Sequence, residues 1–180
     1  MPAPRGVIGR LGSTATALAA AAALAVVVTP GQAQAATSIA FEIGNAATGK
    51  CLEVADWRTD NGAPVRQWSC TGGDNQKWVR TDRHELVNVH SGKCLEIPAY
   101  SIKWGAQAGQ WTCDDGLNQS WSETLVHHSG IHTLNNGYSG LVLDLYGFDG
   151  TDGAAITQWG RNGGLNQAWF YSPWPSDPIG

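Results

Sequence analysis

The sequence predicts an all-β protein assembled from three like units, and three observations carry that reading. The pattern N-Q-x-W occurs three times, at Asn75-Gln76-Lys77-Trp78, Asn118-Gln119-Ser120-Trp121 and Asn166-Gln167-Ala168-Trp169. Each copy follows a Gln-Trp pair, Gln67-Trp68, Gln110-Trp111 or Gln158-Trp159, whose tryptophan stands ten residues before the closing one. Past the N-terminal leader, no stretch sustains a helical hydrophobic period.

The leader comes first in the chain. Arg5 and Arg10 precede an uncharged apolar run from about Ala15 to Val28, followed by Pro30 and a small-x-small site at Ala33-Gln34-Ala35. Residues 1–35 are therefore expected to be an export signal. A membrane-spanning helix is the rival reading, but the run is Ala-rich and short of the about 20 apolar residues that a span requires. No second apolar span follows, so residues 36–180 are expected to form one soluble, secreted domain.

Beyond the leader the chain carries nine Lys and Arg against fifteen Asp and Glu. This acidic balance excludes a nucleic-acid partner, which would require a basic surface. Twenty-three glycines and nine tryptophans with little charge favour short strands, many turns and aromatic packing.

The blocks 51–78, 94–121 and 142–169 align without a gap, and nine of twenty-eight columns are identical in all three. The units run over about residues 40–80, 81–124 and 125–172, with a Pro-rich tail over 172–180 that includes Trp174. Within unit 1, Phe41–Ile43, Cys51–Val54, Pro64–Trp68 and Gln76–Val79 read as strands, separated by polar and Gly-rich turns. Five extra residues in unit 3, around His127-His128-Ser129-Gly130, are expected as a surface loop. Units of this length cannot each bury a core, so they must pack about a common axis. Three units are too few for a propeller.

Four cysteines in an exported chain imply disulfides. Cys51–Cys70 and Cys94–Cys113, each nineteen apart, form the one pairing that respects the repeat, and each should contribute about 3 kcal/mol by restricting the unfolded chain. Zinc binding is the alternative use of four cysteines, but C-x-x-C spacing is lacking. In unit 3, Val142 and Arg161 occupy the cysteine columns, so that hairpin must rely on packing.

With Cys51-Leu52-Glu53-Val54, Cys94-Leu95-Glu96-Ile97 and Val142-Leu143-Asp144-Leu145 each followed by an N-Q-x-W copy, the chain over about residues 40–172 resembles the ricin B-type lectin domain, whose three repeats carry a C-L-D-V … Q-x-W pattern. The resemblance implies a β-trefoil, a pseudo-threefold barrel of twelve strands capped by hairpins, with up to three shallow sugar sites. A sugar offers hydroxyls and one apolar face, so a site needs a carboxylate acceptor, an aromatic plate and an amide. The resemblance places these at Glu53, Trp68 and Asn75 in unit 1, at Glu96, Trp111 and Asn118 in unit 2, and at Asp144, Trp159 and Asn166 in unit 3. It makes Gln76, Gln119 and Gln167 braces for the carboxylates.

Structural roles compete with these assignments. Trp78, Trp121 and Trp169 alternate with polar neighbours and are expected in the core. The three Asn residues could instead cap turns, and Trp68, Trp111 and Trp159 could pack the barrel. Trp57, Tyr100 and Phe148 form a further aromatic column, either a second wall to each pocket or a lid on the barrel. The unmatched Trp104 is expected to extend the second site. Asp144 has the length of the family's acid, whereas Glu53 and Glu96 are one methylene longer, so the third site ranks first.

Catalysis finds no support: a glycosidase needs paired carboxylates about 5–9 Å apart, and here the acids fall one per unit, with no G-x-S-x-G for a serine nucleophile. His127, His128 and His132 cluster without a flanking acid that would suggest a metal site, and no cofactor is expected. The reading is a secreted, monomeric carbohydrate-binding protein with glycans or polysaccharide as partners. The alternative is a trefoil that binds protein through its loops, for example as a protease inhibitor.

Overall fold

The structure is a computed structural model describing residues 1–2, 39–126 and 130–172. Residues 3–38, which include most of the expected leader, residues 127–129 with His127 and His128, and residues 173–180 with Trp174 lie outside the described residues.

Among the described residues twelve strands follow one another, with turns and short 3-10 segments between them. Unit 1 contains β1 (Phe41–Asn45), β2 (Cys51–Val54), β3 (Val65–Trp68) and β4 (Lys77–Arg80). Unit 2 contains β5 (Leu86–Asn88), β6 (Cys94–Glu96), β7 (Gly109–Trp111) and β8 (Trp121–Val126). Unit 3 contains β9 (Ile131–Asn136), β10 (Val142–Leu145), β11 (Ile156–Trp159) and β12 (Trp169–Ser172).

The first and last strands of the units close a six-stranded ring. β1 pairs with β4 and β12, β4 with β5, and β9 with β8 and β12. The remaining join, β5 to β8, is made by the bridge Glu85–Ser120 and by the Trp121 amide donating to His84 O at 2.9 Å. The middle strands form three hairpins, β2–β3, β6–β7 and β10–β11. Bridges Pro64–Gly109, Gln107–Thr157 and Arg66–Ala155 link these hairpins cyclically. The fold is a β-trefoil.

Trp78, Trp121 and Trp169 have 0% exposure and form the centre of the core with Ile43, Leu86 and Leu134. Each indole Nε1 donates to a backbone carbonyl, of Leu52, Leu95 or Leu143, at 3.0–3.1 Å, which removes the penalty of burying that N–H.

The units are clamped together by the glutamine before each outer tryptophan. Gln67 Nε2 donates to Asp149 O and Thr151 O of unit 3, Gln110 to Arg58 O and Asp60 O of unit 1, and Gln158 to Ser101 O and Lys103 O of unit 2. Their Oε1 atoms accept from Thr48, Ser91 and Ser139, so a fully buried amide is fully paired.

Both disulfides, Cys51–Cys70 and Cys94–Cys113, are formed. In unit 3 Val142 is buried and Arg161 donates to Asn135 Oδ1 at 2.7 Å. The expected loop around His127-His128-Ser129-Gly130 falls largely outside the described residues; on either side of it β8 and β9 are six residues each and pair from Trp121–Asn136 to Val126–Ile131. His132 lies on β9 rather than in a loop, with Nδ1 3.4 Å from Glu123 Oε2.

Candidate functional site

Each unit brings its candidate site residues together where its hairpin meets its N-Q-x-W turn. The carboxylate sits on the first hairpin strand and the outer tryptophan on the second. Register pairs Glu53 with Arg66, Glu96 with Gly109 and Asp144 with Thr157. The residue opposite the acid lies two before the tryptophan, so both share one face of the strand. That position governs how open the site is.

The acid is held alike in all three units. Asp144 Oδ2 accepts from Asn166 Nδ2 at 2.8 Å and from Gln167 Nε2 at 2.9 Å. Glu53 Oε2 accepts from Asn75 and Gln76 at 3.3 and 3.0 Å, and Glu96 Oε2 from Asn118 and Gln119 at 3.3 and 3.2 Å. Each Gln is itself fixed, with Nε2 also donating to Ser69 O, Thr112 O or Gly160 O and Oε1 accepting from a backbone amide. Each Asn spends its second amide hydrogen on Val54 O, Ile97 O or Leu145 O, and its Oδ1 is buried without a partner. The Asn therefore orients the acid and has no amide hydrogen left to donate.

The second carboxylate oxygen distinguishes the units. Asp144 Oδ1 and Glu96 Oε1 make no bond among the described residues. Glu53 Oε1 accepts from Arg66 Nε at 2.9 Å. Arg66 also bonds Asp56 at 2.9 Å, and its guanidinium carbon lies 4.4 Å from the Trp68 ring centroid. In unit 1 the arginine thus occupies both the free face of the acid and the face of the plate. In unit 2 Gly109 leaves Trp111 bare, at 42% exposure. In unit 3 Asp144, Tyr146, Phe148, Trp159 and Asn166 line a cleft of about 300 Å³; the unit 1 counterpart, with Arg66 in its lining, is about 240 Å³.

Burial pushes the Asp144 carboxyl above its ordinary range, and the Gln167 and Asn166 amides pull it part of the way back. Glu96 is raised for the same reason. An acid placed in this way takes up its proton at a higher pH than an exposed carboxyl does.

A second aromatic column stands beside the N-Q-x-W turns. Trp57, Tyr100 and Phe148 all have φ near +54°, following Asp56, Ala99 and Gly147, also at positive φ. These tight turns close through Arg58 N to Ala55 O, Ser101 N to Pro98 O and Asp149 N to Tyr146 O. A left-handed non-glycine residue costs roughly 1–3 kcal/mol and persists where surroundings impose it. Here the turn projects the ring over Gly73, Gly116 or Gly164, where a Cβ would lie 2.5–2.9 Å from the ring and from the Asn Oδ1. Only glycine fits beneath both groups, which explains that identical column. Two of the rings are walls of a pocket rather than lids on the barrel: Trp57 and Phe148 line the clefts of units 1 and 3.

Trp104 corrects a sequence expectation. It lies against Trp159 of the third site, with centroids 5.4 Å apart, rather than against the second site. The reason is topological: each hairpin turn leans on the tryptophan of the next unit, as Gly62 does on Trp111, Gly105 on Trp159 and Gly153 on Trp68.

The sequence model of the ricin-type beta-trefoil lectin domain matches residues 39–169. The chain belongs to this family. The ricin-type assignment agrees with the solved structures it resembles. A designed threefold-symmetric protein, ThreeFoil, is 34% identical with a TM-score of 0.70, over 73% of this chain and 96% of that one. The exo-beta-1,3-galactanase 1,3Gal43A of Clostridium thermocellum is 32% identical with a TM-score of 0.72, over 75% of this chain but 30% of the enzyme. A probable lipoprotein, EnvE, of Salmonella typhimurium is 48% identical over 33 residues, 18% of this chain and 19% of its own length. As a ricin-type lectin domain, the chain has the architecture of a carbohydrate-binding module.

Two elements of this lectin frame were missed in the sequence. The inter-unit role of Gln67, Gln110 and Gln158 was hidden although their column is invariant. Asn45, Asn88 and Asn136 are buried, donate to Asn166 O, Asn75 O and Asn118 O of the preceding unit, and receive backbone amides on Oδ1. They stand six residues before the cysteine column, so extending the repeat alignment upstream would have revealed them.

Proposed function

We propose that this chain is an exported carbohydrate-binding protein whose third unit holds the competent site. The observation that carries this is the state of Asp144: one oxygen is fixed by Asn166 and Gln167, and the other is unbonded at the floor of a cleft walled by Trp159 and Phe148. Such an acceptor takes two vicinal hydroxyls of a pyranose while its C–H face rests on an indole. Unit 2 keeps a free carboxylate oxygen and a bare plate but carries the longer Glu96, so it serves as a weaker site. Unit 1 is closed by Arg66. The protein binds glycan without chemistry of its own, and galactan-type sugars are natural first probes, given the galactanase that contains a similar module.

Titration of the protein lacking residues 1–35 with galactose, xylose, glucose and mannose, followed by calorimetry and tryptophan fluorescence, tests this. Binding that disappears in Asp144→Ala and persists in Glu53→Ala supports the reading. Absence of any response, or the reverse order of the two variants, overturns it.

A further inference from the structure

The third site receives side chains from the neighbouring unit that the other two sites lack. The bridges between hairpins set Pro64 opposite Gly109, Ala155 opposite Arg66, and Gln107 opposite Thr157. Residues directly opposite in an antiparallel pair point to the same face. Each acid therefore heads a short row: Ala155, Arg66, Glu53 in unit 1; Pro64, Gly109, Glu96 in unit 2; Gln107, Thr157, Asp144 in unit 3. Only the last row begins with a side chain that can donate and accept hydrogen bonds. Gln107 is exposed, and its amide makes no bond among the described residues.

The residue three before it shows the same asymmetry. In units 1 and 3 the column holds Asn61 and Asp152, which accept from the backbone amide and hydroxyl of the residue after the next unit's tryptophan, Thr112 and Ser69. Unit 2 places Trp104 there, and its partner position is Gly160. A Cβ on Gly160 would lie 2.5 Å from Trp104 Cζ2, so the glycine makes room for the indole. A polar strut has been replaced, on both sides of the contact, by an indole lying on bare backbone. The exchange leaves Trp104 62% exposed, tilted 51° to Trp159 and just outside the cleft. Burial in the fold does not account for a tryptophan held this way.

We propose that Trp104 and Gln107 form an added subsite for a second sugar residue, so that the third site takes a linear glycan of at least two residues. The proposal rests on the reading of Asp144 as the primary sugar acceptor. The first residue sits on Trp159 with its hydroxyls on Asp144. The chain then continues onto Trp104, with Gln107 beside the linkage. The tilt between the indoles suits a chain that twists from one residue to the next.

The test is a length series, mono- to tetrasaccharide, of galactose-, xylose-, glucose- and mannose-based sugars, titrated into the native protein and two variants. Trp104→Asn with Gly160→Thr restores the strut seen in the other units and so keeps the fold while removing the platform; Gln107→Ala removes the amide. The native protein should bind the disaccharide about tenfold more tightly than the monosaccharide, a gain that the double variant loses with monosaccharide affinity unchanged. Gln107→Ala should lose part of it. Equal affinity for all lengths, or a length gain that survives in the double variant, overturns the subsite while leaving the Asp144 site standing. No binding by any sugar of any length overturns both.

Discussion

Units 1 and 3 carry the same machinery and reach different states. Both hold an acid by the Asn and Gln of the N-Q-x-W turn, and both raise a left-handed aromatic beside it. The difference lies in the residue across the ladder from the acid. Arg66 pairs with Glu53 and Asp56 and lies over Trp68, whereas Thr157 is short and leaves Asp144 and Trp159 facing the cleft. A repeat can therefore keep its acid, plate and braces and still have acid and plate covered by one cross-strand neighbour. The brace is common because it also stabilises the fold; the opening is particular to each copy.

The largest expected effect comes from breaking the open copy. Asp144→Ala should weaken sugar binding by about a hundredfold or more, the size of two charge-assisted hydrogen bonds. It also leaves the buried amides of Asn166 and Gln167 short of an acceptor, so calorimetric unfolding should show a loss of about 1–3 kcal/mol. Asp144→Asn, which keeps the shape, would separate the two effects.

Converting the closed copy into the open one comes next. Glu53→Asp with Arg66→Thr should raise the stoichiometry of sugar titration by about one equivalent, at an affinity within about tenfold of the third site. Unchanged stoichiometry would show that the arginine is not what closes unit 1.

A smaller effect follows from the raised Asp144 carboxyl. Sugar needs the ionised acid, so affinity should fall on acidification from a pH above the ordinary Asp range, approaching about tenfold per pH unit below that carboxyl's pKa. Stability moves the other way. Folded-state pKa values raised by burial at Asp144 and Glu96 mean that their contribution is fully present below the unfolded carboxylate range and is lost as pH rises through the folded values. Between the two ranges, acid should weaken binding while stabilising the free protein against urea. Binding and stability that fall together would refute this assignment.

The smallest effect should come from the wall. Phe148→Ala removes one side of the cleft and should cost roughly threefold to tenfold in affinity, measured by fluorescence titration, comparable with one aromatic contact. Trp57→Ala in unit 1 should leave binding untouched.

Much of this was legible before any coordinates. The strand positions of unit 1 and the buried Trp78, Trp121 and Trp169 follow from alternation and turn residues. Both disulfides follow from spacing within a repeat. The acid column was legible as well, since few residues survive in three copies without a task. Trp104 was misplaced because the repeat boundary in sequence is not the boundary in space: each hairpin turn contacts the next unit. The six-residue length of β8 and β9 was not legible, because strand extension depends on a partner segment and periodicity over a few residues does not show one.

By itself, the sequence determined that three like β units pack about an axis, which residues form the core, and which columns carry polar chemistry. These are local properties: alternation, turn propensity and repetition are readable one stretch at a time. Tertiary structure alone decided whether each polar column is open. Arg66 reaches across a hairpin onto Glu53 and Trp68, and Trp104 and Gln107 come from a neighbouring unit to stand beside Trp159 and Thr157. Contacts between residues that are distant in sequence depend on register and on direction about the threefold axis, and no single stretch of the chain encodes either.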